Sequence, residues 1–211
     1  MKTSVIIPVK SFSKSKSRLN LPATKKEDLC EIMLKEILEV ISNAKTINDI
    51  IIVSKDESAF SIGRKFNCIE IIDESESGVN NAVSLANEYL VKNDYSCSVV
   101  LPQDIPLILT EDLDNLLNHY QNRKNAIIVP SRHFDGTNAL VRSTKYQMET
   151  RYDEGSYMFQ FEPMKKHKIR YSLALIHRIM TDIDSIYDVN YALKQKIKTA
   201  FSEEMKKVIF S

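Results

Sequence analysis

Short apolar runs rich in valine and isoleucine alternate along the chain with longer amphipathic stretches. The runs are SVIIPV (4–9), DIIIVS (49–54), IEIID (69–73), SVVLP (98–102) and AIIVP (126–130). Such runs are typical of strands buried on both faces. Apolar residues recur at helical spacing over 26–43, 77–91 and 110–122, with Thr110 as a candidate N-cap. This alternation predicts a mainly parallel sheet with helices on both faces, and it places ligands at the carboxyl ends of the strands.

The pattern changes beyond residue 130. A polar segment, SRHFDGT, precedes a short strand, NALVRS, and a turn, YDEGSY. A helix is expected over 156–166, an apolar run follows at 169–177, and a second helix is expected over 185–198. The sequence has no linker, repeat or low-complexity segment. With 211 residues, and about 150 residues in an ordinary domain, we expect one domain over 1–211.

Composition excludes several classes of protein. Hydrophobic residues at 43% and charged residues at 27% are ordinary for a globular chain. The net charge of +1 argues against a surface built to bind nucleic acid. The three cysteines form no CxxC pair, which favours a reducing, cytoplasmic location. There is no 18-residue apolar stretch, so we expect no membrane association.

Glycine is scarce, and this excludes the common phosphate-binding loops. The four glycines are too far apart for GxGxxG or a Walker A motif. The chain also lacks GxSxG and HExxH, so serine-hydrolase and zinc-peptidase chemistry are not indicated.

A basic loop follows the first expected strand. Lys10, Lys14, Lys16 and Arg18 alternate there with serines. Lysine supplies a point charge, arginine a bidentate fork and serine a hydroxyl, so the loop suits a polyphosphate. The alternative is an ordinary solvated basic loop.

Carboxylates follow two other apolar segments. Asp104 lies in LPQDIPL, and Asp182 and Asp184 lie in TDIDS, where the alternation of an extended chain points both to one side. Mg²⁺ takes one or two carboxylates and completes its octahedron with phosphate and water. The alternatives are that Asp104 caps a turn and that Asp184 or Ser185 caps the next helix.

Three glycine-containing loops are further candidates for ligand contact: SESGVNNA, FDGTNAL and YDEGSY. In the first, Asn80 and Asn81 either read a base edge or cap a helix. In the others, Thr137, Asn138 and Ser156 offer neutral donors to a phosphate or carboxylate.

Taken in order, these segments resemble the archaeal and actinobacterial 2-phospho-L-lactate guanylyltransferases of coenzyme F-420 biosynthesis. The resemblance covers nearly the whole chain and rests on IPVK with KSKSRL (7–19), SGVNNA, LPQDIPL, PSRHFDGTNAL, DEGSY and DIDS. It implies a single-domain, Rossmann-like α/β nucleotidyltransferase fold of the nucleotide-diphospho-sugar transferase type. It also implies a reaction in which the phosphate of 2-phospho-L-lactate or phosphoenolpyruvate attacks the α-phosphorus of GTP and expels pyrophosphate. Finally, it implies that the protein is a homodimer.

The resemblance also implies roles for individual residues. Catalytic roles fall to Lys16, Arg18 and Asp104. Residues at the nucleotide would be Pro8, Val9, Lys10, Lys14, Gly78, Asn80, Ala82 and Pro102. Residues at the acceptor would be Thr137, Asn138, Asp153, Gly155 and Ser156. Mg²⁺ would be placed by Asp104, Asp182 and Asp184.

The chain departs from the family pattern at Asp153, where many relatives carry glycine. A carboxylate there would repel an anionic substrate unless metal or arginine intervened, and Arg132, Arg142 and Arg151 are the available arginines. Two alternatives stay open. One is a nucleotidyltransferase with another acceptor, such as a molybdenum-cofactor or sugar-phosphate enzyme. The other is a non-catalytic nucleotide-binding protein.

Overall fold

A computed structural model describes residues 1–123, 125–146, 148–155 and 157–210. In these residues seven strands form one sheet in the order β3-β2-β1-β4-β6-β5-β7. The strands are β1 (Thr3–Pro8), β2 (Asp49–Ser54), β3 (Ile69–Ile72), β4 (Cys97–Val100), β5 (Ala126–Pro130), β6 (Thr137–Ser143) and β7 (Tyr171–Leu173). All pairings are parallel except those of β6 with β4 and β5. The segment 131–136 is too short for a parallel crossover, which needs about a dozen residues, so the chain reverses there.

Helices cover both faces of the sheet, as the sequence predicts. They are α1 (Ala23–Ser42), α2 (Glu57–Arg64), α3 (Val79–Lys92), α4 (Thr110–Arg123), α5 (Phe161–Lys166), α6 (His177–Met180), α7 (Ile186–Lys194) and α8 (Thr199–Phe210). Successive residues of β1 face opposite sides: Ile7 belongs to the core cluster that contains residues of α1, α4 and α8, and Ile6 belongs to the cluster that contains residues of α3 and α5. None of the described helices has the length and hydropathy needed to cross a bilayer.

Two local expectations need correction. The helix expected over 185–198 ends at Lys194, because Lys196 and Lys198 adopt left-handed φ angles of 51° and 55°. The separate helix α8 follows and packs on α1. Thr110 is not an N-cap, because it is the first residue of α4 and its hydroxyl donates to the Val40 carbonyl at 3.1 Å.

Two further differences concern helices. The pattern did not predict α2, which begins where the Asp56 carboxylate accepts from the Ser58 amide at 2.9 Å. The helix expected over 156–166 is a 3-10 turn at Tyr157–Gln160 followed by α5.

Candidate functional site

A cleft opens at the carboxyl ends of β1 and β4, where a parallel sheet is expected to bind its ligands. It consists of two adjoining cavities of about 440 and 610 Å³, which we call the first and second cavity. They share five wall residues: Pro8, Val79, Pro102, Asp104 and Asp184. Molecules bound in the two cavities would therefore meet at Asp104 and Asp184.

Most of the residues that the sequence analysis singled out line this cleft. Those in the first cavity are Pro8, Val9, Lys10, Lys14, Lys16, Gly78, Ala82, Pro102, Asp104, Asp153 and Asp184. Those in the second cavity are Pro8, Arg18, Pro102, Asp104, Thr137, Asn138, Asp182 and Asp184. The fold thus gathers the basic loop, the Asp104 turn and the TDIDS segment around one space.

Lys16 lines the first cavity and contacts two residues of the wall that the cavities share. Its ammonium donates to Asp104 at 2.6 Å and to Asp184 at 2.9 Å, and its side chain is only 4% exposed. Burial acts to lower the pKa of Lys16, but the two carboxylates outweigh it and hold the pKa above its usual value. The Lys16 backbone has a left-handed φ of 55°, which is uncommon for a residue with a β-carbon. Arg18 reaches Asp184 at 3.4 Å from a largely exposed position.

Asp182 and Asp184 point into the second cavity, as the alternation of TDIDS predicts. Between them, the amide of buried Ile183 donates to the Asp104 carbonyl at 2.9 Å, which ties the two acidic segments together. Ser185, rather than Asp184, caps α7, and its hydroxyl forms a capping box with Asp188. The capping alternative therefore holds for Ser185, which leaves Asp184 to pair with Lys16.

The two TDIDS carboxyls have opposite electrostatic environments. Burial, and then the charge of Asp104, raise the pKa of Asp182, although the Asn138 amide donates to it at 3.1 Å. Burial also opposes ionisation of Asp184, but Lys16 outweighs it and lowers the pKa of that carboxyl. In the part of the chain that the structure describes, no three acidic, histidine or cysteine side chains converge closely enough to hold a metal ion.

Glu76 organises the start of the basic loop, and the sequence analysis did not single it out. Its carboxylate accepts from the Ser11 amide at 2.7 Å, from Lys14 at 2.7 Å and from Lys55 at 3.1 Å. Burial opposes ionisation, but the hydrogen bonds from Lys14 and Ser11 outweigh it and hold the pKa of Glu76 well below its usual range. The signal available in the sequence was that Glu76 lies in SESGVNNA, one of the candidate ligand-binding loops.

Backbone amides bind the Asp153 carboxylate. It accepts from the amides of Val79 and Asn80, at 3.2 and 3.1 Å, at the start of α3. Gly78 allows this approach, because it has a φ of 127° and an added β-carbon would lie 2.8 Å from Asp153 Oδ2. The amides and the positive end of the helix dipole stabilise the charge.

The three arginines proposed to compensate Asp153 have other partners. Arg132 donates to Asp188 at 2.5 Å, and Arg151 donates to Glu154 at 2.7 Å. Arg142 is buried in the sheet and donates to the Met148 carbonyl. In the described residues none of these three arginines pairs with Asp153, so the arginine alternative is wrong, and the metal alternative stays a prediction.

Some predicted site residues are not brought into the cleft. Neither Asn80 nor Asn81 lines either cavity; the Asn80 carboxamide oxygen accepts from the Tyr152 amide at 2.9 Å, and the Asn81 amide donates to Asp73 at 2.9 Å. Gly155 lies in an exposed turn with a φ of 70°, away from both cavities. Ser156 lies outside the described residues.

Three buried polar atoms of residues in the cleft walls have no partner within the described protein. They are Thr137 Oγ1 and Tyr152 Oη in the second cavity and Gln103 Oε1 in the first. A buried polar group without a hydrogen bond is costly, so a ligand that supplies the missing bond would be favoured. Arg132 and His133 also line the second cavity, and the resemblance assigned a role there to neither of them.

Comparisons with known proteins agree on a family. The family model described as "Guanylyl transferase CofC like" matches residues 3–211. The 2-phospho-L-lactate guanylyltransferase of Methanocaldococcus jannaschii is 32% identical over 90% of this chain and 81% of its own length. The phosphoenolpyruvate guanylyltransferase of Conexibacter woesei is 26% identical over 93% of this chain and 89% of its own length.

Solved structures agree on the fold. A protein described as a nucleotide-diphospho-sugar transferase, from Desulfovibrio desulfuricans, superposes with a TM-score of 0.76 at 16% identity, and the match covers 99% of this chain and 97% of that one. The CMP:2-keto-3-deoxy-manno-octonic acid synthetase structure with CTP superposes with a TM-score of 0.62 at 11% identity, covering 93% and 100% of the two chains. The expected nucleotidyltransferase fold is thereby confirmed.

Proposed function

Since the chain belongs to the CofC-like guanylyl transferase family, we propose that it joins the GMP moiety of GTP to the phosphate of 2-phospho-L-lactate or phosphoenolpyruvate. The observation that carries this proposal is the pair of cavities that adjoin at Asp104 and Asp184, the two carboxylates that Lys16 holds. Guanylyl transfer needs two anionic substrates to meet at one phosphorus atom, and the shared wall provides such a meeting point.

The first cavity suits the nucleotide. Lys10, Lys14 and Lys16 line it on one side, and the apolar residues Val9, Ala82 and Pro102 line it elsewhere. The lysines supply positive charge for a triphosphate, and the apolar walls supply a surface for a base. Pro8 and Gly78 complete this wall.

The second cavity suits a small acceptor that carries a phosphate and a carboxylate. The unpartnered Thr137 hydroxyl offers a neutral donor there, and Arg18 and Arg132 offer positive charge. Asn138 acts indirectly, because its amide donates to Asp182 at 3.1 Å and fixes that carboxyl. Thr137 would thus orient the acceptor, and Arg18 and Arg132 would balance its charge once they exchange Asp184 and Asp188 for the acceptor.

The carboxylates fit Mg²⁺ by the chemistry of their donor atoms. Asp104, Asp182 and Asp184 present hard oxygen ligands to one cavity, and the raised pKa of Asp182 reflects burial beside the charge of Asp104. A cation there would relieve this crowding, and one or two of these carboxylates suffice for Mg²⁺. When bound, the ion would neutralise phosphate charge during transfer.

The protein residues would promote the reaction by positioning and by charge neutralisation. An ionised acceptor phosphate is already a nucleophile, so the α-phosphorus of GTP can be attacked without a general base. The bond to pyrophosphate then breaks, and Lys14 and Lys16 would stabilise the charge that develops on the leaving group.

Pyrophosphate release tests this proposal. Purified protein with Mg²⁺ is given GTP, ATP or CTP, each combined with 2-phospho-L-lactate or phosphoenolpyruvate, and pyrophosphatase draws the reaction forward. We expect release with GTP and one or both of these acceptors. Folded protein that binds GTP yet releases no pyrophosphate with either acceptor would refute the assignment.

A further inference from the structure

Lys16 occupies the space between two carboxylates that are candidate ligands of a divalent cation. Its ammonium lies 2.6 Å from Asp104 and 2.9 Å from Asp184, and little of the side chain is exposed. An ammonium bound to both groups already supplies the positive charge that a cation would bring. With Lys16 in place, a divalent ion on these carboxylates would be held beside a like charge.

We propose that Lys16 is a removable counter-ion: it holds Asp104 and Asp184 while the cleft is empty and must leave them before a divalent cation binds. The cation would consequently bind well only when a nucleotide is also present. This inference rests on the proposed function, because it takes the polyphosphate of the nucleotide as the new partner for the lysine.

The surroundings of Lys16 favour such a transfer. The side chain lines the first cavity together with Lys10 and Lys14, so phosphate oxygens in that cavity would lie within its reach. Lysine is a point charge on a flexible four-carbon stem and can exchange one anionic partner for another without a fixed geometry.

Charge balance makes the exchange cooperative. Asp104, Asp182 and Asp184 carry three negative charges when ionised, and Lys16 and Arg18 compensate part of them. Moving Lys16 onto phosphate exposes two carboxylates, and a divalent cation would then neutralise both. Each ligand thereby improves the site for the other, as linkage between two binding sites requires.

The arrangement of the acidic groups is consistent with this order of events. No three acidic side chains in the described residues converge as a metal site. Lys16 holds Asp104 and Asp184, while Asn138 holds Asp182 separately. Release of the lysine would free two of the three groups to turn toward a common ion.

Replacement of Lys16 by methionine tests the proposal without requiring turnover. Lys16→Met keeps the apolar stem and removes the charge, and Lys14→Met is the matched control because Lys14 pairs with Glu76 instead. Binding of Mn²⁺ is measured by electron paramagnetic resonance in the absence of nucleotide. Binding of a fluorescent GTP analogue is measured separately in EDTA.

We expect Lys16→Met to bind Mn²⁺ at least about tenfold more tightly than the wild type and to bind the GTP analogue at least about tenfold more weakly. Lys14→Met should leave the Mn²⁺ affinity unchanged, and Asp104→Asn should remove Mn²⁺ binding. Opposite changes in the two affinities cannot come from misfolding, which would weaken both. If Lys16→Met does not fold by circular dichroism, Lys16→Gln takes its place.

An Mn²⁺ affinity of the folded Lys16 variant equal to or weaker than that of the wild type would overturn the proposal. Failure of the proposed function has a different signature, because it appears as absent pyrophosphate release while the two affinities still change in opposite directions.

Discussion

Thr137 offers a sharp test of the acceptor site, because function and stability should respond to its replacement in opposite ways. Thr137 stands at the start of β6, is 9% exposed and lines the second cavity. Its hydroxyl is buried and has no hydrogen-bond partner in the described protein. Thr137→Val keeps the branched shape and removes only the unpartnered group.

The magnitudes follow from what the hydroxyl lacks in the free protein and what it would gain from a ligand. A buried polar group without a partner costs about 1–3 kcal/mol, so its removal should leave the unfolding free energy unchanged or raise it by up to that amount. A hydrogen bond to a charged phosphate or carboxylate contributes about 1.5–3 kcal/mol. Its loss should therefore raise the KM for the acceptor roughly 10- to 150-fold.

The assay combines acceptor kinetics at saturating GTP with thermal unfolding of the same preparations. Thr144→Val is the matched control, because Thr144 is equally buried just beyond the other end of β6 but its hydroxyl donates to the Tyr95 carbonyl. That control should lower the unfolding midpoint and leave the KM for the acceptor unchanged. Thr3→Val removes another unpartnered hydroxyl, far from the cleft. It should neither lower the unfolding midpoint nor raise the KM for the acceptor.

The reasoning would be refuted if Thr137→Val left the KM for both acceptors at the wild-type value. It would also be refuted if the variant lost stability as Thr144→Val does, since that would mean that the Thr137 hydroxyl has a stabilising partner in the folded protein.

Three further predictions concern carboxylates of the cleft. Asp104→Asn should lower kcat/KM at least roughly 100-fold while circular dichroism shows an intact fold, because it removes a ligand and not a core group; near-normal turnover would contradict the metal role. Asp153→Asn should lower the unfolding free energy by about 0.5–1 kcal/mol, because it weakens the acceptor for the amides at the start of α3, and an unchanged denaturation midpoint would contradict this. The pKa of Glu76 is lowered from its usual value of 4.5, so its ionised form stabilises the fold above that pH and this stabilisation declines as the pH falls below it. Glu76→Gln should thus be less stable than the wild type near neutrality, with a difference that narrows in acid; urea titrations between neutral and acidic pH measure this, and a constant difference would disprove the charge-based account.

Strands β1, β2, β4 and β5 were predictable because buried strands are apolar on both faces. The prediction of a buried strand at IEIID is wrong, since β3 lies at the sheet edge and alternates between partly buried and exposed residues. The runs at 49–54 and 126–130 have the observed boundaries of β2 and β5, and the others shift by one or two residues. The helix α2 was not predictable in the same way, since its segment ESAFSIGR contains serines and a glycine, which are weak helix formers. It is stabilised by the Asp56 cap and by packing against α1.

The site was predictable as a set of residue types but not as a set of contacts. Lysines after one strand and aspartates after others already indicated an anion and metal site at one edge of the sheet. The partners of Asp153 were unpredictable, because backbone amides leave no signature in a sequence. The same holds for Asn80 and Asn81, whose amides are used between loops.

The amino-acid sequence by itself determined the mainly parallel α/β sheet, the edge at which ligands bind and the kinds of charge gathered there. Local spacing carries that information, because the pattern of apolar residues that marks a strand or a helix repeats over a few residues. Only the tertiary structure decided which charges pair. Lys16 meets Asp104 across 88 residues and Asp184 across 168 residues of chain, and contacts of that separation are set by how the strands are ordered in the sheet.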